Sequence, residues 1–435
     1  MAAGKKTPGK RAVEKRRRRG SPLKGTAGNG PKGPGGGGNA PQFGEPAPSP
    51  DPTGFQRPVR DSGDYSRVDA HLLQRVPPPR GGGPEPKLTL DEILGSAGAA
   101  KITAIQQSGQ IVFHAAGDTG SVKGPASQSQ VADKMVNDFT EDDPADAPSF
   151  LFHLGDVVYN FGEAQYYYDQ FYEPYREYPA PIIAIPGNHD GEVYAGEGVA
   201  TLAAFLRNFC SQTPEHTPEA GALVRTSMIA PGVFFTLEAP FVRILGLYSN
   251  VLEDPGVISS EGRSSSPVSD QQLNFLTAAL ERSKSFSGAV LVAVHHPPFT
   301  YGTSHSGSPR MLEDLDTAAK NAGFWPHAYL SGHAHNYQRY TREVAGLKIP
   351  YLVAGNGGHA LAKLQKTAGG GALRTPIKVT PALTLENYDD LHYGYLRIVV
   401  DSEKLRIEYH PSSDGAGAKT PDDVVTVNLK TRAVT

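Results

Sequence analysis

Residues 150–159 read FLFHLGDVVY, an apolar run that ends in a glycine and an aspartate, with a tyrosine three positions further on. An apolar run this short between polar segments is typical of a buried strand and too brief for a helix. Polar groups of open α/β folds collect at the carboxyl ends of the strands, and Asp156 follows this run directly. The stretch therefore predicts a strand that delivers a carboxylate to the edge of a sheet.

The same arrangement recurs along the chain, and all but the last of the five motifs directly follow an apolar run. The other four are Gly117-Asp118-Thr119-Gly120, Gly187-Asn188-His189-Asp190, Val292-Ala293-Val294-His295 and Gly332-His333-Ala334-His335. We expect the motif glycines to let the backbone turn sharply at each strand end. Together the motifs supply two carboxylates, one phenol, one amide and several imidazoles, which suit iron, zinc or manganese.

Charge repulsion favours a site with two cations. Asp118 and Asp156, if crowded together without cations, would repel each other and force one carboxyl group to keep its proton. Two metal ions remove that problem, and such a pair can bind both the nucleophile and the leaving oxygen of a displacement at phosphorus. The motifs therefore predict a two-metal site for phosphoester chemistry.

The pattern of apolar runs predicts an α/β fold. Seven runs are predicted as buried strands: Ile111–Ala116, Phe150–Leu154, Pro181–Pro186, Phe241–Tyr248, Ala289–Val294, Ala328–Leu330 and Ile349–Ala354. Helical spacing marks Val131–Phe139, Glu163–Tyr172, Val199–Phe209 and Asp270–Arg282. A short helix capped by Thr89 opens the ordered part, and residues 393–400 and 404–409 read as a hairpin. Alternation of strands and helices indicates βαβ units.

The first 87 residues are predicted as a disordered, basic, Gly/Pro-rich tail, and residues 88–435 as one catalytic domain. Ten Lys or Arg and one Glu fall within residues 1–24, whereas the remaining 411 residues hold 32 basic and 44 acidic side chains. Such a segment buries too little apolar surface to offset its ordering entropy. Its basic start could contact nucleic acid or an anionic membrane non-specifically, or could act only as a solubilising tail.

Cysteine usage and hydropathy narrow the class of protein. Cys210 is the single cysteine, which excludes an internal disulfide and a thiolate zinc site. The sequence has no apolar stretch of the roughly 18 residues that a membrane span needs, and its start has no apolar core like that of a signal peptide. We therefore expect a cytoplasmic protein without a transmembrane segment.

The five motifs together resemble the purple acid phosphatases, within the calcineurin-like metallophosphoesterases. The pattern GDxG, GDxxY, GNH(D/E), VxxH, GHxH is intact, and the resemblance covers roughly residues 105–400. Most members of the wider superfamily have a histidine where this chain has Gly120, and Tyr159 fills that coordination gap. The resemblance implies a four-layer α/β/β/α sandwich and an Fe(III) ion paired with a divalent ion, which is Zn, Fe or Mn. Members of the family are often exported.

The resemblance also implies a role for each motif residue. The residues that resemble ligands of the ferric ion are Asp118, Tyr159 and His335. Those that resemble ligands of the divalent ion are Asn188, His295 and His333. Asp156 resembles the carboxylate that bridges the two ions. His189 resembles the histidine that contacts phosphate and protonates the leaving alkoxide. His305 resembles a second acid histidine. His296 matches a variable position and is not assigned as a ligand.

The implied activity is hydrolysis of small phosphomonoesters by in-line attack of a metal-bound hydroxide. The alternative with the same metals is a phosphodiesterase that acts on cyclic nucleotides or phospholipid head groups. A third possibility is a catalytically silent protein that holds nucleic acid with its basic tail. Arg339 either grips substrate phosphate or pairs with an acid, and the tyrosines of residues 166–178 either form a stacking surface or pack in the core.

Overall fold

The computed structural model describes residues 43, 54–55, 76–140, 143–193, 198–249, 256–266, 268–367 and 370–435. Most of the predicted tail, including its basic start and the contacts expected of it, lies outside these residues. The described chain before residue 88 packs against later segments. Arg80 Nη2 donates to the Ser211 carbonyl over 2.8 Å, and Glu85 Oε2 accepts from Arg282 Nε over 2.6 Å. The tail boundary at residue 87 stays a prediction.

The described residues form fifteen strands in two sheets. In chain order the strands are β1 Lys87–Thr89, β2 Gln110–Ala116, β3 Leu151–His153, β4 Ile182–Ala184, β5 Phe235–Ala239, β6 Val242–Leu247, β7 Ala289–Val294, β8 Ala328–Ser331, β9 Tyr337–Val344, β10 Leu347–Ala354, β11 Ile377–Thr380, β12 Leu383–Asp389, β13 Gly394–Asp401, β14 Lys404–Pro411 and β15 Asp423–Asn428. Every strand predicted from the sequence has a counterpart here, and the C-terminal hairpin is β13 and β14.

The described residues also form seven α-helices. They are α1 Leu90–Leu94, α2 Gly98–Ser108, α3 Ala126–Asn137, α4 Asn188–Gly191, α5 Ala203–Phe209, α6 Gln271–Arg282 and α7 Pro309–Ala322. Thr89 caps α1 as expected, because its Oγ1 accepts from Glu92 N–H over 3.1 Å. The α-helix predicted over residues 163–172 is instead a 3₁₀ turn, Ala164–Tyr166, followed by a π-helical turn, Tyr168–Tyr172. Among the described helices, none is long and apolar enough to cross a membrane.

Parallel strands form the centre of the nine-stranded sheet and one half of the six-stranded sheet. The nine-stranded sheet has the order β1-β5-β6-β7-β8-β10-β9-β12-β11, and the six-stranded sheet has the order β15-β14-β13-β2-β3-β4. Strands β2, β3 and β4 run parallel in one sheet, and β6, β7, β8 and β10 run parallel in the other. The five motifs follow β2, β3, β4, β7 and β8, so all of them lie at the carboxyl ends of parallel strands.

The two sheets pack face to face. The Phe152 ring of β3 lies 6.5 Å from the Phe235 ring of β5, and a Cβ added to Gly246 would lie 2.7 Å from Ile185 Cγ2. Helix α3 contacts β13 of one sheet, and α6 contacts β6 of the other. The expected α/β/β/α layering is therefore confirmed, and the motifs of both sheets meet at one edge of the sandwich.

Candidate metal centre

Three of the motif residues have a left-handed backbone conformation. The φ angles of Asp118, Asp156 and His333 are 55°, 55° and 68°. Non-glycine residues adopt this region infrequently, at a cost of order 1–3 kcal/mol, and they persist there where surrounding structure enforces it. Such backbone strain clusters at functional sites, and here all three residues come directly after a strand-end glycine.

The expected role of the motif glycines is wrong at three of four positions. Only Gly155 has a positive φ, of 98°, while Gly187 has a φ of −96°. In two motifs a positive φ falls instead on the residue after the glycine, Asp118 or His333, and at Gly155-Asp156 both residues have a positive φ. The glycines provide room: a Cβ on Gly332 would lie 2.6 Å from Asp118 Oδ2, and one on Gly187 would collide with Asp156.

A first cluster of donors brings two carboxylates, an imidazole and a phenol together. Ligand atoms of Asp118, Asp156 and His335 lie within 4.8 Å of one another, and all three residues are buried. The Tyr159 hydroxyl lies 3.1 Å from Asp118 Oδ1, 2.9 Å from Asp156 Oδ2 and 3.2 Å from His335 Nε2. These are the residues predicted to hold the ferric ion, with the carboxylate predicted to bridge.

A second cluster shares Asp156 with the first. Ligand atoms of Asp156, His295 and His333 also lie within 4.8 Å of one another. The amide oxygen of Asn188 is 3.2 Å from His333 Nδ1, and His295 Nε2 is 3.3 Å from Asp156 Oδ2. All seven side chains predicted as ligands therefore converge on two adjoining clusters, and Asp156 belongs to both.

The orientation of His295 fits a cation. Its Nδ1 donates to the Leu154 carbonyl over 2.8 Å, because a carbonyl can only accept. The neutral ring therefore carries its lone pair on Nε2, the atom that faces Asp156. Among the described residues this buried Nε2 makes no well-directed hydrogen bond. A histidine held in this way by its other nitrogen is the usual arrangement of a metal ligand.

Protonation of the cluster points the same way. Burial raises the pKa of Asp118 to about 7, and burial together with both aspartates raises the pKa of Tyr159 well above its usual value. Burial alone would raise the pKa of Asp156, but His295 and His189 hold it well below its usual value. Burial opposes the charge of His295, yet Asp156 and Asp118 raise its pKa to about 9. Without metal, Asp118, Tyr159 and His295 thus hold protons at the positions where metal ions would bind.

The two predicted acid histidines also lie at the site. His189 N–H donates to Asp156 Oδ1 over 2.9 Å, and its Nδ1 donates to the Asn160 carbonyl over 2.7 Å. The His305 ring centroid lies 4.7 Å from that of His333 and 4.6 Å from that of His335. Both imidazoles therefore border the donor clusters.

Sequence reasoning did not assign three residues that the structure places here. Glu192 Oε1 accepts from the Asn188 side-chain amide over 3.3 Å. Its position four residues after Asn188 was the sequence signal for this contact. The His296 ring lies 4.1 Å from that of His333. His359 follows β10, so the signal that found the ligands, a polar residue shortly after an apolar strand, applied to it as well.

Two open alternatives find a structural answer. Arg339 makes a two-point ion pair with Asp423, with Nε–Oδ2 and Nη2–Oδ1 distances of 2.7 and 2.8 Å. It therefore pairs with an acid. Five of the six tyrosines of residues 166–178 are buried, so they pack in the core rather than form a stacking surface.

Comparisons with known proteins find a matching family and several similar solved structures. A sequence model described as calcineurin-like phosphoesterase matches residues 111–337, just over half of the chain. No curated protein matches the chain. Similar solved structures include GAP50, the anchor in the inner membrane complex of Plasmodium. It is 14% identical, the match covers 73% of this chain and 89% of that chain, and the TM-score is 0.49. PhoD has 14% identity, coverage of 75% and 71%, and a TM-score of 0.43. A dimetal phosphatase from Danio rerio has 10% identity, coverage of 73% and 99%, and a TM-score of 0.42.

Proposed function

The chain belongs to the calcineurin-like phosphoesterases, and on that basis we propose that it hydrolyses phosphomonoesters with a purple acid phosphatase type of metal pair. One observation carries the proposal: the Tyr159 hydroxyl lies within 3.2 Å of Asp118, Asp156 and His335. A buried phenol set among two carboxylates and an imidazole is a donor group suited to a trivalent, oxygen-seeking cation.

The two donor sets differ in chemistry, which supports an unlike pair of ions. Two carboxylates, a phenol and one imidazole form the first set, and this oxygen-rich group suits Fe(III). An amide and two imidazoles with the shared carboxylate form the second, and such a set suits Zn, Fe or Mn in the divalent state. When bound, the two cations would lower the pKa of a coordinated water and offset charge on the phosphoryl oxygens.

His189 is the proposed proton donor to the leaving oxygen. Burial lowers its pKa, but the nearby carboxylates of Asp156 and Glu192 outweigh burial and raise it above the usual value. Its Nδ1–H bond to the Asn160 carbonyl fixes the ring, so Nε2 is the nitrogen available to pass a proton. His305, beside the rings of His333 and His335, is the second histidine proposed to contact the phosphate.

The test combines metal analysis with substrate choice. Purified protein should contain close to two metal ions, one of them iron, and should hydrolyse a monoester such as 4-nitrophenyl phosphate much faster than the matching bis-ester. A chelator should abolish this activity, and iron with zinc or manganese should restore it. Asp156→Asn serves as the matched inactive control, since it changes one atom of the carboxylate shared by both clusters.

Three outcomes would count against the proposal. Faster hydrolysis of the diester would favour the phosphodiesterase alternative that acts on cyclic nucleotides or phospholipid head groups. Activity that survives full removal of metals would exclude the metal mechanism. A protein with no hydrolytic activity that retains nucleic acid in a salt-dependent way through residues 1–85 would favour the binding protein instead.

A further inference from the structure

His359 stacks on the phenol of Tyr159. Their ring centroids are 3.7 Å apart and their planes differ by 13°, which is closer and flatter than the contact of Tyr159 with His189 at 4.3 Å and 42°. His359 ends the segment Gly355–His359, which follows β10 at the same sheet edge as the donor clusters. The phenol is therefore covered on a face by an imidazole that no motif includes.

Two hydrogen bonds fix this imidazole to the loop that carries Asp118. His359 N–H donates to the Asp118 carbonyl over 2.9 Å, and its Nδ1 donates to the Gly120 carbonyl over 2.8 Å. Its ring also meets that of His335 edge to face, with centroids 4.7 Å apart and planes at 64°. His359 thus contacts the loops of the first and last motifs while covering the tyrosine of the second.

The backbone and the ring of Tyr159 are confined by other neighbours as well. Its backbone N–H donates to Gln170 Oε1 over 2.9 Å, and its carbonyl accepts from Gln170 Nε2 over 2.7 Å. A Cβ added to Gly120 would lie 2.6 Å from Val157 O and 3.1 Å from Tyr159 Cδ2. Position 120 therefore has no space for a side chain, and the phenol ring lies against it.

We propose that His359 is a positioning residue for Tyr159: the stacked imidazole holds the phenol so that its hydroxyl points at Asp118 and Asp156. The inference rests on the proposed function in that Tyr159 is taken as a metal ligand. A ring free to tilt would leave its hydroxyl at varying distances from the carboxylates. Residues that orient a ligand without binding the metal change metal affinity by about 10- to 100-fold when replaced.

Three variants separate stacking from hydrogen bonding. His359→Ala removes both, His359→Gln keeps a donor without an aromatic face, and His359→Phe keeps the face without the donor. The first readout needs no metal. In metal-free protein with ¹³C-labelled tyrosine, the Tyr159 signal is assigned by its loss in Tyr159→Phe. We expect it to shift in the Ala and Gln variants and to stay close to the wild-type position in the Phe variant.

The second readout concerns the metal. In iron-loaded protein we expect the Ala and Gln variants to show a shifted or weaker phenolate absorption band and about tenfold weaker iron retention, with the Phe variant near wild type. Thermal unfolding of each variant checks that the fold is intact. An unshifted Tyr159 signal in the Ala variant, or a Phe variant that behaves like Ala, would overturn the stacking role.

The two readouts also keep this inference apart from the proposed function. Wild-type protein that takes up no iron would contradict the ferric site, yet the metal-free Tyr159 signal would still test His359. Conversely, a normal iron band together with unchanged signals in all three variants would leave the proposed function standing and remove His359 from it.

Discussion

The hydroxyl of Tyr159 donates a hydrogen bond to Oδ2 of Asp156 over 2.9 Å. Oδ1 of the same carboxylate accepts from the His189 backbone N–H over 2.9 Å. One oxygen is therefore anchored by the backbone, while the other faces the Tyr159 phenol and the His295 imidazole. This division lets a single side chain connect the two proposed metal positions and the proposed acid.

Replacement of Tyr159 tests the phenolate. Tyr159→Phe keeps the ring and removes one oxygen, so we expect the visible phenolate-to-iron absorption band of iron-loaded protein to vanish. Absorption spectra and elemental analysis, made on the same sample, check this. Persistence of the band with unchanged iron content would show that another group causes the absorption. Tyr175→Phe, which replaces a buried tyrosine of residues 166–178, serves as the control.

Replacement of His189 tests proton donation. His189→Ala should lower kcat by roughly 10²- to 10⁴-fold for alkyl phosphates, the usual range for a general acid. The loss should be much smaller for 4-nitrophenyl phosphate, because its leaving group needs little protonation. Metal content should stay at the wild-type value. Equal losses for both substrates, or a near-normal kcat for the alkyl ester, would remove His189 from this role.

In metal-free protein, Asp118 should make a pH-dependent contribution to stability. The folded metal-free protein holds a proton on Asp118 up to about pH 7, whereas the unfolded chain loses it near 3.8. The contribution of Asp118 to the free energy of unfolding should therefore fall as pH rises from about 4 to 7, by at most about 1.4 kcal/mol per pH unit. His295 adds to this, since its stabilising charge is fully present below 6.5 and is lost toward about 9.

Urea unfolding of metal-free and metal-loaded protein at several pH values measures this slope. Metal-loaded protein should gain stability over the same range, because metal binding displaces those protons. Buried histidines with lowered pKa values, such as His153 and His335, change the stability of the whole protein in the opposite direction. The contribution of Asp118 is therefore measured as the difference between the metal-free wild type and Asp118→Asn, which should fall between about pH 4 and 7. A difference that rises or stays constant over this range would show that the Asp118 carboxyl does not keep its proton.

Replacement of Arg339 tests its pairing with Asp423. Arg339→Met leaves a largely buried carboxylate without its partner, so the free energy of unfolding should fall by about 3 kcal/mol. The KM for a monoester should not change, since the guanidinium faces Asp423 and not the site. Asp423→Asn should give a similar loss. A raised KM with unchanged stability would instead place Arg339 at the phosphate.

Strands formed by continuous apolar runs were predictable from the sequence, and the exposed strand β11 was not. Ala289–Val294 coincides with β7, because six consecutive apolar residues leave little else to form. Strand β11, Ile377–Thr380, is mostly exposed at the end of its sheet and has no apolar run to mark it. Helix α7 was not predicted, although its start carries two sequence signals. Ser308 caps it by accepting from Met311 N–H over 3.1 Å, and Pro309 is its first residue.

The sequence by itself determined the α/β class and the set of donor side chains. Both depend on neighbours in the chain: apolar runs make the strands, and the residue after a strand lies at its end. Tertiary structure alone decided that Arg339 faces Asp423 and that His359 covers Tyr159. These pairs are separated by 84 and 200 positions, and only the packing of strands from two sheets brings such distant residues into contact.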